Sequence, residues 1–122
     1  MKKTIERNLA EHQEVLAQLH TLEDTIQQSA ILMVEALGEE SDILVDIPTS
    51  GQSANVNHAL NAAKNKKMYT VGFLGKGGGQ ALKIADHAIV IPSESTARIQ
   101  EMHITIGHIL CELIEEGLGL NA

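Results

Sequence analysis

Three hydroxyls crowd around one glycine in the segment Asp42 to Asn55, which reads DILVDIPTSGQSAN. Ile43, Leu44, Val45 and Ile47 predict a strand, and Ala54, Val56, Ala59, Leu60 and Ala63 predict a helix that follows at once. Between them Gly51 lets the backbone turn tightly, and the helix N-terminus offers N–H groups that have no intrahelical acceptor. Thr49, Ser50 and Ser53 add hydroxyls that can donate to phosphate oxygens, so the segment predicts a phosphate site. The competing reading is a plain helix cap, in which Ser50 or Ser53 bonds the first helical N–H groups. One hydroxyl suffices for a cap, so three around a glycine favour the phosphate reading.

A second glycine-rich segment, Gly75-Lys76-Gly77-Gly78-Gly79, follows a predicted strand and precedes a short predicted helix. It lacks both the lysine–serine ending of a Walker loop and the GxGxxG spacing, so it reads as a flexible connection. Cys111 is the one cysteine, which excludes an internal disulfide and fits a reducing cytoplasm; its apolar neighbours predict an inert core thiol. Spacing alone makes His108 a core histidine hydrogen-bonded inside a helical layer. His12, His20, His87 and His103 read as side chains covering the surface or partner helices, and Glu101 as an ion-pair partner of Arg98.

The elements that must position these residues are legible from periodicity. Residues 4 to 37 predict helix, with stripes at Ile5, Leu9, His12, Leu16, Leu19 and at Ile26, Ala30, Met33, Val34, Leu37. A break falls near Thr21 to Thr25, where Thr25 can cap a second helix, and Gly38 is the expected stop. Strands are predicted over 42–47, 69–74 and 87–91, with Pro92 ending the third. Helices are predicted over 53–65, 80–85 and 96–117. Strands alternating with helices, each strand a nearly continuous apolar run, imply a small parallel sheet covered on both faces. The fold class is therefore α/β: a three-layer α/β/α arrangement with about three strands and long N- and C-terminal helices. The 122 residues form one domain, with a helical region at 1–38 and an α/β portion at 42–122.

Composition removes several function classes. The net charge of −7 leaves no basic stripe for a nucleic-acid backbone; Lys64, Lys66 and Lys67 sit at a predicted helix end, where cations complement the macrodipole. One Tyr and one Phe give no aromatic platform for stacking bases. No apolar run reaches membrane-spanning length, and Met1-Lys2-Lys3 leads into a polar periodic helix and not a signal core. The expectation is a cytoplasmic protein without nucleic-acid or membrane partners. The stripe Ile99, Met102, Ile106, Ile109, Leu110, Leu113 is wider than a narrow sheet can cover, which predicts self-association as a dimer or tetramer.

The run TSGQSANV, the lysine–glycine loop and TARIQEMHITIGHILCELIEE together resemble the sugar isomerase (SIS) family, and within it the phosphoheptose isomerases. The opening, NLAEHQEVLAQL through IQQSAILMVEAL, is similar to their N-terminal helices. The resemblance implies conversion of sedoheptulose 7-phosphate to D-glycero-D-manno-heptose 7-phosphate, in heptose synthesis for lipopolysaccharide. It places substrate phosphate on Thr49, Ser50, Gly51 and Ser53. It makes His108 the general acid–base of an enediol isomerisation, for which an imidazole titrating near neutrality is suited. Gln100 and His108 match metal positions, which implies zinc, although eight helical residues separate their Cα atoms by roughly 12 Å. His58 lies one residue out of step with a matching ligand, a rotation of roughly 100° on a helix, and carries little weight. A related family that binds a replication initiator shares the RIQEMH run but lacks a histidine matching His108.

Two departures temper what the resemblance implies. Pro48 stands where a serine is common and removes a hydroxyl and an N–H; Asp46 stands where a glycine is common and brings negative charge toward an anion site. More important, the family has a further strand–turn–helix unit between the N-terminal helices and the DILV-type strand. Here Glu39-Glu40-Ser41 lead straight into that strand. In the family the absent unit carries the catalytic glutamate, a histidine metal ligand and another phosphate-binding serine. The alternative function is accordingly a non-catalytic SIS module that binds phosphosugars or assembles with partners, and a third is a protein adaptor.

Overall fold

The computed structural model describes residues 1–120. Helix α1 (Lys2–Gln18) runs through a 3₁₀ turn (Leu19–Leu22) into α2 (Glu23–Gly38). Strand β1 (Ile43–Asp46), helix α3 (Ala54–Asn65), strand β2 (Tyr69–Leu74), helix α4 (Ala81–Ile84), strand β3 (His87–Val90) and helix α5 (Thr96–Gly117) follow. The predicted break at 21–25 is the 3₁₀ turn. Thr25 lies inside α2, which begins with Glu23 and Asp24, where acids complement the helix N-terminus. Gly38 is the last helical residue and not the left-handed stop. Glu40 takes that role at φ 57°, with Ser41 N–H returning to the Ala36 carbonyl and Glu40 N–H to that of Leu37.

The three strands form one parallel sheet in the order β1-β2-β3, with Ile43 opposite Tyr69 and Val71 opposite His87. On one face Val71, Phe73, Ile89 and Ile91 pack with Ile26, Ala30 and Met33 of α2 and with Ile99, Met102, Ile106 and Leu110 of α5. On the other face Leu74 packs with Leu60 of α3 and Ala81 of α4, flanked by Leu44 and Val56. The architecture is the expected shortened three-layer α/β/α fold. Near-complete burial of β2, between two covered faces, explains its apolar run.

Ser95 caps α5, its hydroxyl accepting from the Arg98 N–H. The buried Arg98 side chain then ties α5 to α1. Its guanidinium donates to the Asn8 carbonyl (3.0 Å), Asn8 Oδ1 (3.0 Å), Glu11 Oε2 (3.2 Å) and Glu101 Oε2 (3.0 Å). Arg98 Nε lies 2.9 Å from Glu101 Oε1 without an aligned hydrogen bond, so that contact is one of charge only. Glu101 also meets His12 Nδ1 at 2.8 Å. This hydrogen bond to His12, with the Arg98 charge adding, holds the Glu101 carboxyl below its ordinary value of 4.5. A depressed carboxylate stabilises the fold above its unfolded-state value, and that contribution is lost as pH falls through the lower folded value.

Removing a buried guanidinium orphans the Asn8 acceptors while leaving the apolar packing of α5 in place. Arg98→Met should therefore lower unfolding free energy by about 2–3 kcal/mol, read from urea denaturation. Amide exchange in α1 should rise more than exchange in β2.

Candidate functional site

Both candidate segments lie at the carboxyl edge of the parallel sheet, where open α/β sheets place ligands. Ile47 to Ser53 leave the end of β1 and enter α3. Ser53 occupies the N-cap position with φ −67° and ψ 128°, yet its hydroxyl makes no cap hydrogen bond. The Ser50 hydroxyl accepts from Gln52 N–H at a long 3.3 Å, and Thr49 and Ser50 are half-buried. A bare cap would spend the Ser53 hydroxyl on the helix; here it is exposed beside the helix N-terminus. The turn therefore leaves the Ser53 hydroxyl uncommitted to the helix cap.

Gly51 is buried with φ 73°, and a Cβ built on it would stand 2.2 Å from the Gly78 carbonyl oxygen. The Gly51 carbonyl accepts from Ala81 N–H at 3.2 Å. A Cβ on Gly79 would stand 2.9 Å from the Ser50 carbonyl. The glycine segment is thus packed backbone to backbone on the Thr49–Ser53 turn and is not the flexible connection that its composition predicts. Gly75 and Gly78 are both buried.

Asp46 ends β1 on the face that Leu44 shares with α3, by strand alternation. Its Oδ2 is buried without a hydrogen-bond partner, and burial raises its carboxyl above the ordinary value of 3.8. Asn57, one turn before the buried Leu60, likewise has a buried Oδ1 without a partner.

On the opposite face, a pocket of about 290 Å³ is lined by Ile47, Phe73, His103, Ile104, Gly107, His108 and Cys111. Ile47 joins this pocket to the phosphate turn, which begins two residues later. His108 is exposed at the pocket and not a core histidine, so the bland reading of its spacing fails. Cys111 is exposed as well, against the expectation of a core thiol. His103 was expected on a surface or against a partner helix; it is buried, 2.9 Å from the Leu74 carbonyl. His58 is exposed on α3, away from this lining. Glu101 pairs with Arg98 as anticipated, and His12 covers the same helix.

Gln100 is exposed and lies outside the pocket lining. Among the described residues no group of three or more His, Cys, Asp or Glu side chains is placed to hold a metal. Zinc wants about four ligands, so Gln100 and His108 do not fit it by themselves. Among the described residues, no helix is long and apolar enough to cross a membrane.

Comparison with known proteins places this geometry. The chain is 56% identical over 84 residues to a phosphoheptose isomerase of Campylobacter jejuni, a match covering 69% of this chain and 45% of the relative. It is 54% identical over 83 residues to a phosphoheptose isomerase of Nitratiruptor, covering 68% and 44%. The chain has a phosphoheptose isomerase-like SIS fold, shortened. Solved phosphoheptose isomerases of Francisella tularensis and Neisseria gonorrhoeae superpose with TM-scores of 0.89 and 0.90, at 19% and 22% identity. These matches cover 95% and 94% of this chain and 98% of each solved chain, and they establish the fold. No family model matches. The matched stretch spans about half the length of the curated phosphoheptose isomerases.

The interlock makes Gly51 the least replaceable residue of this phosphoheptose isomerase-like turn. Gly51→Ala should cost about 2–4 kcal/mol in urea unfolding, because strain at positive φ adds to a collision with backbone that cannot rotate away. A loss below about 0.5 kcal/mol would show that the two loops separate freely.

Proposed function

We propose that this chain is a phosphosugar-binding SIS protein of the phosphoheptose isomerase type. The turn Thr49, Ser50, Gly51, Ser53 takes the phosphate, and His108 serves as the acid–base group facing the sugar. The uncommitted Ser53 hydroxyl at the α3 N-terminus carries this reading. A phosphoheptose is the substrate class, in keeping with the relatives' name of phosphoheptose isomerase, and sedoheptulose 7-phosphate is the sugar to try.

Aldose–ketose isomerisation moves a proton between adjacent carbons through an enediol, which needs a base on the carbon acid and an acid–base group at the oxygens. The pocket supplies His108 for the second task, but its lining contains no carboxylate for the first. That observation favours the binding reading for the isolated chain, with turnover requiring a base from a second polypeptide. Zinc belongs to this reading only if that polypeptide also supplies ligands. The cytoplasm, where sugar phosphates are handled, is the compartment that fits.

Titration with sedoheptulose 7-phosphate should shift the amide resonances of Ser50 to Ala54, and Ser53→Ala should weaken binding about tenfold. Conversion of the same sugar, with and without added zinc, should stay at background. Turnover abolished by His108→Gln would instead mean that a base is recruited from another copy. Absence of any binding would leave only an assembly role.

Self-association fits the same reading. Leu16, Ile104 and Ile109 are exposed on α1 and α5, and an apolar groove of about 440 Å³ runs past Leu16, Ile26, Ile109 and Leu113. A second copy covering it would remove this surface from water. Sedimentation should report a dimer or tetramer that Ile109→Glu converts to monomer; an unchanged assembly would place the interface elsewhere.

A further inference from the structure

Leu74 ends β2, and its carbonyl oxygen receives two hydrogen bonds. Ile91 N–H donates at 2.9 Å from the strand exit, and His103 Nε2 approaches at 2.9 Å from α5. A carbonyl only accepts, so Nε2 carries the proton and Nδ1 keeps its lone pair. The ring is 4% exposed and stands edge-on to Phe73, with centroids 5.7 Å apart. Burial pushes its pKa below the ordinary 6.5, which keeps it neutral at physiological pH.

The glycine segment begins one residue after this carbonyl. Gly78 N–H turns back to the Gly75 carbonyl at 2.9 Å, and Lys76 N–H is held by the Ser93 carbonyl at 3.1 Å. The Gly78 carbonyl then fills the space in which a Cβ of Gly51 would lie. A continuous run of contacts therefore joins α5 to the phosphate turn: His103, Leu74, Gly75 to Gly78, Gly51. His103 also lines the pocket that holds His108, five residues further along the same helix.

We propose that His103 is a positioning residue that fixes the glycine segment, and through it the phosphate turn, relative to α5 and His108. The proposal rests on the phosphosugar reading of that turn. An apolar side chain would fill the same volume but leave the Leu74 carbonyl with one partner and α5 without a directional tie to the loop. Imidazole supplies reach, a single donor and no charge. A glutamine can also reach with an N–H, whereas asparagine is too short.

The test compares the wild-type chain with His103→Gln, His103→Leu and His103→Asn, using sedoheptulose 7-phosphate and inorganic phosphate as probes. Folding is monitored by circular dichroism, and exchange of the Gly51 and Gly75–Gly79 amides is measured without ligand. Affinity at Ser50–Ala54 should fall about tenfold in His103→Leu and His103→Asn and return to within about threefold of wild type in His103→Gln. Exchange at the glycine segment should rise about tenfold in the first two and stay near wild type in the third. Wild-type affinity in His103→Leu, or equal loss in His103→Gln, overturns the proposal. If His103→Leu fails to fold, the Gln–Asn contrast decides. If the wild-type chain binds neither probe, the functional reading falls and loop exchange alone judges His103: unchanged exchange in His103→Leu rejects it.

Discussion

A three-stranded parallel sheet must have both faces covered, and that requirement shapes everything else in this chain. The strands are four to six residues long, so the sheet is narrow, while the helix laid across it has twenty-two residues. Ile99, Met102, Ile106 and Leu110 point inward at helical spacing and are almost wholly buried. The rest of α5 overhangs the sheet. Its far side is met in part by α1, held through Arg98, and in part by nothing within the described residues: Ile104 is 65% exposed. One long helix thus joins the core, the α1 tie and the His108 pocket, and its apolar excess is the surface that a second copy would cover.

The site inherits its order from the same layering. Parallel strands all release their chain at one edge, so the loop after β1 and the loop after β2 emerge side by side. Gly51 and Gly78 let them touch without an intervening side chain. Two loops so joined are stiffer than either would be alone, and a preorganised loop spares the entropy of ordering on binding. Asp46 works the other way. Its half-buried carboxyl keeps a higher affinity for its proton, and whenever ionised it places negative charge close to the Thr49–Ser53 turn.

Much of this was legible in the residues. The runs Tyr69–Leu74 and Thr96–Gly117 coincide with the observed β2 and α5, because apolar periodicity and clear stop signals agreed there. The turn around Gly51 before α3 was legible because a glycine among hydroxyls after an apolar run marks a strand-to-helix turn. Cys111 misled because its sequence neighbours are apolar, whereas helical geometry puts it beyond His108 on the exposed line through Ile104. His103 was missed although it sits four residues after the buried Ile99, a spacing that predicts the inner face. The place of the glycine segment between β2 and α4 was legible, but its packing was not. What it packs against is set by a turn roughly 25 residues earlier, and no local pattern encodes that contact.

The open flank of β1 is the strongest physical argument about what the chain does alone. β1 pairs with β2 on one side and with no strand among the described residues on the other. Val45 on it and Ile47 just after it are 39% and 58% exposed, which suits a strand built for the interior and not for an edge. The resemblance expects another strand–turn–helix unit to precede this strand, and it is that unit which carries the base in the family. The Thr49–Ser53 turn and His108 are positioned by β1, α3, the segment after β2 and α5, all of which are present. Among the described residues, the neighbours of His108 in its pocket are apolar residues, a glycine, a second imidazole and a thiol. The Thr49–Ser53 hydroxyls and His108 are thus held by elements that are present, while no carboxylate lines the His108 pocket among the described residues.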